Sequence, residues 1–244
     1  MRPQAARRAE VSVDLGDAAV WYIAFVISTT CHEAAHALAA YLGGDSTAYE
    51  GGQVSLNPLP HMQREPIGMV VVPLVSLFSS GFTFGWASTP YDPVWEQRYP
   101  RRAAWMAAAG PGANLLIAVL CLVALRIGLE LGTFDTPASV TRSFLVSGDT
   151  PFAENLGRFL GLMLVLNATL CLFNLLPVPP LDGASVLGLV LPEESVVRFK
   201  ETLASGGIGS VALLLCFFFF GDLVGGPLWR GIVELVHPNT YTFG

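Results

Sequence analysis

The stretch AAVWYIAFVISTTCHEAAHALAAYL, residues 18–42, decides how this chain is read. A membrane crossing needs about 20 mostly apolar residues, and this run is long enough. It nevertheless contains His32-Glu33-Ala34-Ala35-His36. Residues four apart on a helix share a face and lie about 6 Å apart, so His32 and His36 can present two imidazoles to one ion. Glu33 is offset by one position, where it can reach a water held by that ion without binding the ion itself. H-E-x-x-H on a helix is a zinc-binding and water-activating pattern. Catalytic zinc takes three protein ligands and leaves one position open. Two histidines and a glutamate inside a span are costly unless they pair or hold something, which weighs against histidines that merely fill the core.

The composition supports a membrane setting. Of 244 residues, 52% are hydrophobic and 13% charged, with a mean hydropathy of +0.54. Soluble domains carry about 25% charged residues. The apolar runs are long rather than alternating, which excludes a membrane barrel. The net charge of −6 and the lack of a basic cluster with interleaved aromatics exclude nucleic-acid binding. Cys31, Cys121, Cys171 and Cys216 lie far apart in apolar segments and read as small buried hydrophobes. Arg2, Arg7 and Arg8 could open a signal peptide, but cleaving the first run would discard the His/Glu cluster, so it is kept as a mature span.

Five apolar segments are expected, at about 18–42, 67–88, 103–129, 156–176 (with a shorter run at 182–191) and 207–236. Pro73 and Gly81 break the second, and Gly225, Gly226 and Pro227 the fifth. The expected fold is an all-α polytopic membrane protein, a single domain over residues 1–244 with its core in segments 18–42, 103–129 and 156–191. Between the first two segments, Glu50-Gly51-Gly52-Gln53 is a turn signal, and Tyr49 to Leu56 read as a short β-hairpin-like insertion. Residues 192–204 read as a surface helix, with Pro192 at its start and Gly206-Gly207 after its end. No internal repeat and no appended soluble domain are evident.

A third ligand must come from elsewhere. Asp182 ends the run Asn174-Leu175-Leu176-Pro177-Val178-Pro179-Pro180-Leu181-Asp182-Gly183. The prolines predict an extended, non-helical path whose freed backbone groups could pair with an incoming peptide. Gly183 permits a tight turn after Asp182. The competing reading makes Asp182 a helix N-cap in a loop, and Asp222 and Glu234 are weaker competitors. His61 either lines the site or is an exposed loop histidine. Asn167, one heptad before Asn174, either faces the same cavity or packs between helices. Trp86, Trp95 and Trp105 read as interfacial anchors.

HEAAH at 32–36, Gly110-Pro111-Gly112-Ala113-Asn114 opening the third segment and FNLLPVPPLDG at 173–183 together resemble the site-2 protease family of intramembrane zinc metalloproteases, in its compact form without PDZ or CBS domains. The resemblance covers roughly half the chain. It implies one catalytic zinc held by His32, His36 and Asp182, Glu33 as catalytic acid/base, and Asn174 as a catalytic residue that positions substrate or stabilises the oxyanion. Asn114 would pack or support the site. The acid that the family pattern leads one to expect after His61 is replaced by Met62-Gln63-Arg64-Glu65.

The expected activity is therefore hydrolysis of a peptide bond in or near a transmembrane segment. The expected partners are a transmembrane protein substrate, such as a membrane-tethered regulator, and the lipid bilayer, with no nucleic acid. The expected location is the plasma membrane of a prokaryote, crossed several times. A catalytically silent membrane binding or chaperone module is the alternative, and an ion carrier a third reading; intact Glu33 favours the enzyme. Orientation stays open. Arg2, Arg7 and Arg8 place the N-terminus in the cytoplasm, whereas the family arrangement suggests the reverse; the two agree only if 67–88 is re-entrant or the early arginines are translocated.

Overall fold

The computed structural model describes residues 15–80 and 83–242. Arg2, Arg7 and Arg8, on which the orientation argument leans, lie outside them. The described residues form helices without any strand, apart from two isolated antiparallel bridges, Asp135 with Ser147 and Thr141 with Phe144.

Helix α1 (Leu15–Leu42) carries the decisive stretch. Two short helices follow, α2 (Thr47–Glu50) and α3 (Pro58–Arg64). The first of these corrects the expected hairpin. The Asp45 carboxylate accepts from the Thr47 N–H, Ser46 Oγ donates to Glu50, and Ala48 is fully buried. These two side-chain bonds and the burial of Ala48 fold the segment into a helical turn, and Gly51-Gly52 ends it instead of joining two strands.

A π-helical turn (Ile67–Val71) leads into α4 (Val72–Ser80). At 1.5 Å per residue this pair spans about 20 Å, short of a hydrocarbon core of about 30 Å. The chain then runs extended from 83 to 92 and doubles back along the helix. Trp86 N–H donates to the Gly68 carbonyl, and Phe84 N–H donates to Ser76 Oγ. A Cβ at Gly68 would fall 2.3 Å from the Trp86 carbonyl oxygen, so glycine is required for this close approach.

Helix α5 (Pro93–Arg98) precedes the long α6 (Pro100–Glu130), and a packed loop joins α6 to α7 (Pro151–Asn174). Three helices start alike, with a polar cap whose side chain accepts from the first turn and a proline just inside: Asn57-Pro58, Asp92-Pro93 and Thr150-Pro151. Gly110-Pro111-Gly112 lies inside α6 rather than at its start. The core fills the space between α1, α6, α7 and the last helix, with Phe25, Leu125, Leu145, Val146 and Val236 buried. The loop after α6 thus contributes core residues of its own.

Beyond α7 the chain makes tight turns to α8 (Gly183–Val186) and a 3₁₀ turn (Leu187–Leu189). Helix α9 (Glu193–Ala204) ends at the expected glycines, with Gly206 and Gly207 at φ 59° and 79°. Helix α10 (Ile208–Phe220) then continues through a π-helical turn (Gly221–Gly225) into α11 (Gly226–Val236). The wider turn absorbs the expected break, because Pro227 sits in the first turn of α11, where its missing N–H costs nothing.

Among the described residues, three helical runs are long and apolar enough to cross a membrane: α6, α7 and the run from α9 to α11. The expectation of five segments is therefore corrected to three. The 67–88 segment fails on helical length. Helix α1 is long, but Asp17, His32, Glu33 and His36 dilute its apolar character.

Candidate metal centre

His32, Glu33 and His36 are all buried on α1, the two histidines on the face that meets α6. His36 Nδ1 lies 2.7 Å from the Met106 carbonyl oxygen. A carbonyl only accepts, so Nδ1 carries the proton and Nε2 keeps its lone pair. His32 Nδ1 lies 2.6 Å from Asn114 Oδ1, which leaves its Nε2 in the same state.

The two Nε2 atoms are 3.0 Å apart. Asp182 completes a triangle, with Oδ2 3.2 Å from His32 Nε2 and Oδ1 3.3 Å from His36 Nε2. Two donors bound at 2.0–2.1 Å to one tetrahedral ion lie about 3.3 Å apart. The three edges therefore have the size such an ion requires. Three acceptors aimed at one point repel one another until a cation lies between them. Asp182 Oδ2 is buried without a hydrogen-bond donor, as this electrostatic picture demands.

Gly110 leaves the room. A Cβ there would stand 2.3 Å from His36 Nε2 and 2.6 Å from His32 Nε2, so glycine keeps clear the space beside both nitrogens that a bound ion would need. His32, His36 and Asp182 are the one cluster of possible metal-binding side chains among the described residues. Two imidazoles and a carboxylate are the donor set of a catalytic zinc site.

Asp182 stands at the N-cap position of α8, but its side chain makes no capping bond. Its carboxylate faces the histidines instead, contrary to the N-cap reading. The preceding prolines do not produce an open, extended edge. Val178 and Leu181, the two residues of 177–181 with an N–H, donate to Leu176 and Val178 inside successive turns. Gly183 is needed for proximity: a Cβ would stand 2.3 Å from the Leu175 carbonyl oxygen.

Glu33 is held by a residue that no sequence motif marks. Thr89, buried in the extended 83–92 segment, places its hydroxyl 2.7 Å from Glu33 Oε2 and 3.0 Å from the Glu33 carbonyl oxygen. The stretch Thr83-Phe84-Gly85-Trp86-Ala87-Ser88-Thr89 carries no sequence pattern that singles Thr89 out; its burial is visible only in the fold. Asn174 ends α7 half-buried, and its Nδ2 donates back to the Leu170 carbonyl. It is not bonded to the His/Asp triangle.

His61 is neither exposed nor in a loop. It is 1% exposed on α3, with Nε2 3.0 Å from the Ser55 carbonyl oxygen. Trp95 is buried, and its indole N–H donates to the Gly43 carbonyl, so it locks α5 to the end of α1 rather than anchoring an interface. Trp86 and Trp105 are exposed, as anchors would be. The four cysteines are free thiols, with Cys121 and Cys171 buried.

Comparison with known proteins agrees with this geometry. YwhC of Bacillus subtilis (strain 168), whose name assigns it as a zinc metalloprotease, is 31% identical over 196 residues, 80% of this chain and 78% of the relative. Rip2 of Mycolicibacterium smegmatis (strain ATCC 700084 / mc(2)155), assigned likewise, is 29% identical over 78% of this chain and 64% of its own length. Rip2 of Mycobacterium tuberculosis (strain ATCC 25618 / H37Rv) is 26% identical over 82% of this chain and 67% of its own. No solved structure matches the chain. The sequence pattern of peptidase family M50 matches residues 20–217, a span that includes most of α1, all of α6 and α7 and the turn bearing Asp182; the chain belongs to that family, the site-2 proteases, and is a metalloprotease with apolar helices fit for a membrane.

Proposed function

We propose that this chain is an intramembrane endopeptidase that hydrolyses a peptide bond in or near a transmembrane segment of another membrane protein. The observation that carries the reading is the triangle of His32 Nε2, His36 Nε2 and Asp182, with edges of 3.0–3.3 Å, set on a buried helix face beneath Gly110. Zinc is the cofactor, and His32, His36 and Asp182 hold it. Bound there, zinc is a Lewis acid that polarises a carbonyl and makes water acidic near pH 7.

The protein's own groups do the rest. Glu33 takes the proton of the attacking water and returns it to the leaving nitrogen. Thr89 orients the Glu33 carboxylate by donating to Oε2, which keeps the other oxygen free for the proton. Asn174, at the end of α7, turns its amide from Leu170 toward the substrate and supports the oxyanion. The surrounding α1, α6 and α7 exclude bulk water, so these interactions act in a low dielectric.

A helical substrate is protected by its own hydrogen bonds and must unwind before it is cut. The extended 83–92 segment, one residue of which holds Glu33, and the turns before Asp182 border the site where the unwound stretch would lie. The helix at 67–80 and its extended return form a re-entrant element beside it. The fold crosses the plasma membrane of a prokaryote several times, and the substrate is a transmembrane protein such as a membrane-tethered regulator.

The test uses the full chain with Glu33→Gln. Zinc content stays at the wild-type value while cleavage of co-expressed transmembrane substrates falls at least about 1,000-fold, and uncut substrate co-purifies with the variant. Wild-type chain that holds zinc and cuts no transmembrane substrate would favour a binding or chaperone module. No specific observation in the fold favours that module.

A further inference from the structure

We propose that Asn167 and Asn114 form a buried amide relay that fixes the proton of His32 on Nδ1, so that Nε2 is always the atom turned toward the metal. Both asparagines are 0% exposed, and both lie in long apolar helices, where an unsatisfied amide would be costly. The inference rests on His32 being a zinc ligand and assigns Asn167 and Asn114 as positioning residues.

The direction of the relay follows from its far end. Asn167 Nδ2 lies 2.8 Å from the Met163 carbonyl oxygen. A carbonyl cannot donate, so the NH₂ group of Asn167 must point there. Its second hydrogen goes to Ser28 Oγ at 2.9 Å, and Ser28 in turn donates to the Ala24 carbonyl at 2.7 Å. Asn167 Oδ1 is thereby the acceptor that faces Asn114 Nδ2 at 2.8 Å. The Asn114 amide is oriented in consequence, with a longer donation from the same Nδ2 to the Ser28 carbonyl at 3.5 Å, and its Oδ1 faces His32 Nδ1 at 2.6 Å. Each step leaves only one polarity for the next.

The alternative shows what the relay prevents. If the Asn114 amide flipped, its NH₂ would face His32 Nδ1. The neutral imidazole would then carry its proton on Nε2, the atom that points at His36 and Asp182, and could not bind a metal there. His36 needs no such device, because the Met106 carbonyl fixes its tautomer directly. Histidine ligands commonly donate their second N–H to a carboxylate or a carbonyl, and losing that partner costs about 10–100-fold in metal affinity. Here a neutral amide does this work, and it must itself be oriented.

The experiment measures zinc affinity of the purified full chain in detergent by competition with a chelator. Asn167→Leu, which removes the shorter of the two acceptors that hold Asn114 Nδ2 and leaves only the 3.5 Å contact to the Ser28 carbonyl, is expected to weaken zinc by about 10–100-fold. Asn167→Asp is expected to stay within about threefold, since a neutral buried acid keeps both the acceptor oxygen and a donor toward Met163. Adding Asn114→Asp to Asn167→Leu is expected to restore affinity, because position 114, unlike 167, faces the N–H of the imidazole that holds the cation, which keeps a carboxylate there ionised and without a donor face to present to His32.

Wild-type affinity in Asn167→Leu overturns the relay, as does equal loss in Asn167→Leu and Asn167→Asp, or failure of the added Asn114→Asp to rescue. Should Asn167→Leu not fold, Asn114→Leu against Asn114→Asp repeats the test at the next link, with loss expected only in the first and equal affinities overturning the relay. His32→Ala separates the two readings. If it keeps zinc, the ligand assignment has failed; if it loses zinc while Asn167→Leu does not, the relay alone has failed.

Discussion

The two halves of the metal centre are built on different principles. His32 and His36 stand on a long buried helix, and each imidazole is pinned by a second contact on its far nitrogen, Asn114 for one and Met106 for the other. Asp182 stands in a chain of turns after α7, makes no capping bond, and has one buried oxygen without a donor. The histidine half is organised before any ion arrives. The aspartate half faces the two imidazoles at 3.2 and 3.3 Å and has no other partner that fixes its carboxylate. A site assembled in this way can open at one side without losing its shape at the other, which suits an enzyme that must admit a peptide.

The sharpest way to break the comparison is to disturb the half that is already organised. Gly110→Ala puts a carbon 2.3 Å and 2.6 Å from the two Nε2 atoms. Nothing there is a flexible side-chain end that can swing away, since both rings are held at Nδ1. Zinc affinity should fall by more than about 100-fold while helix content, read by circular dichroism, is kept. Zinc retained at full stoichiometry would mean that the rings are not rigid and that the contrast is false.

A second, smaller effect should appear when zinc is stripped with a chelator. Backbone amide exchange in residues 175–189 should speed up by about tenfold or more, because the Asp182 turn loses the cation that neutralises its carboxylate. Exchange in residues 28–38 of α1 should change by less than about threefold. Equal acceleration in both stretches would show that the histidine face is no more preformed than the turn.

What the sequence revealed follows the same division. The i, i+4 spacing of His32 and His36 and the long apolar runs of α1, α6 and α7 were readable because helical periodicity is local. Asp182 could be singled out by intramembrane cost alone, but its distance from α1 is a tertiary fact. Residues 49–56 misled because Gly51-Gly52 is a strong turn signal, whereas the force that won was the Asp45 bond to the Thr47 N–H and the Ser46–Glu50 side-chain bond around buried Ala48. Thr89 could not be found because a threonine in an extended segment has no signature until Glu33 is beside it. Asn167 was visible only as an intramembrane amide, and its direction depends on the Met163 carbonyl.

The smallest expected effect concerns the frame around the Glu33 side of the site. Asp45, just past the end of α1, accepts from Thr47 N–H and Oγ1 through one oxygen and from Asp92 N–H through the other. It thus ties α1 to the end of the extended segment that carries Thr89. Burial alone would raise the Asp45 carboxyl, but the Thr47 hydroxyl and the two backbone N–H donors outweigh it and hold the group below the usual carboxylate range. A depressed folded-state pKa means that the unfolded chain binds this proton more readily. The stabilisation is therefore complete above the ordinary carboxyl pKa of about 4 and is lost as pH falls through the lower folded value. Asp45→Asn should cost about 1 kcal/mol near pH 7, read as a lowered thermal midpoint in detergent, with the gap to wild type closing only in strong acid. A gap that stayed constant down through that range would assign the loss to geometry rather than charge, and the Asp45 tie would then be steric in origin.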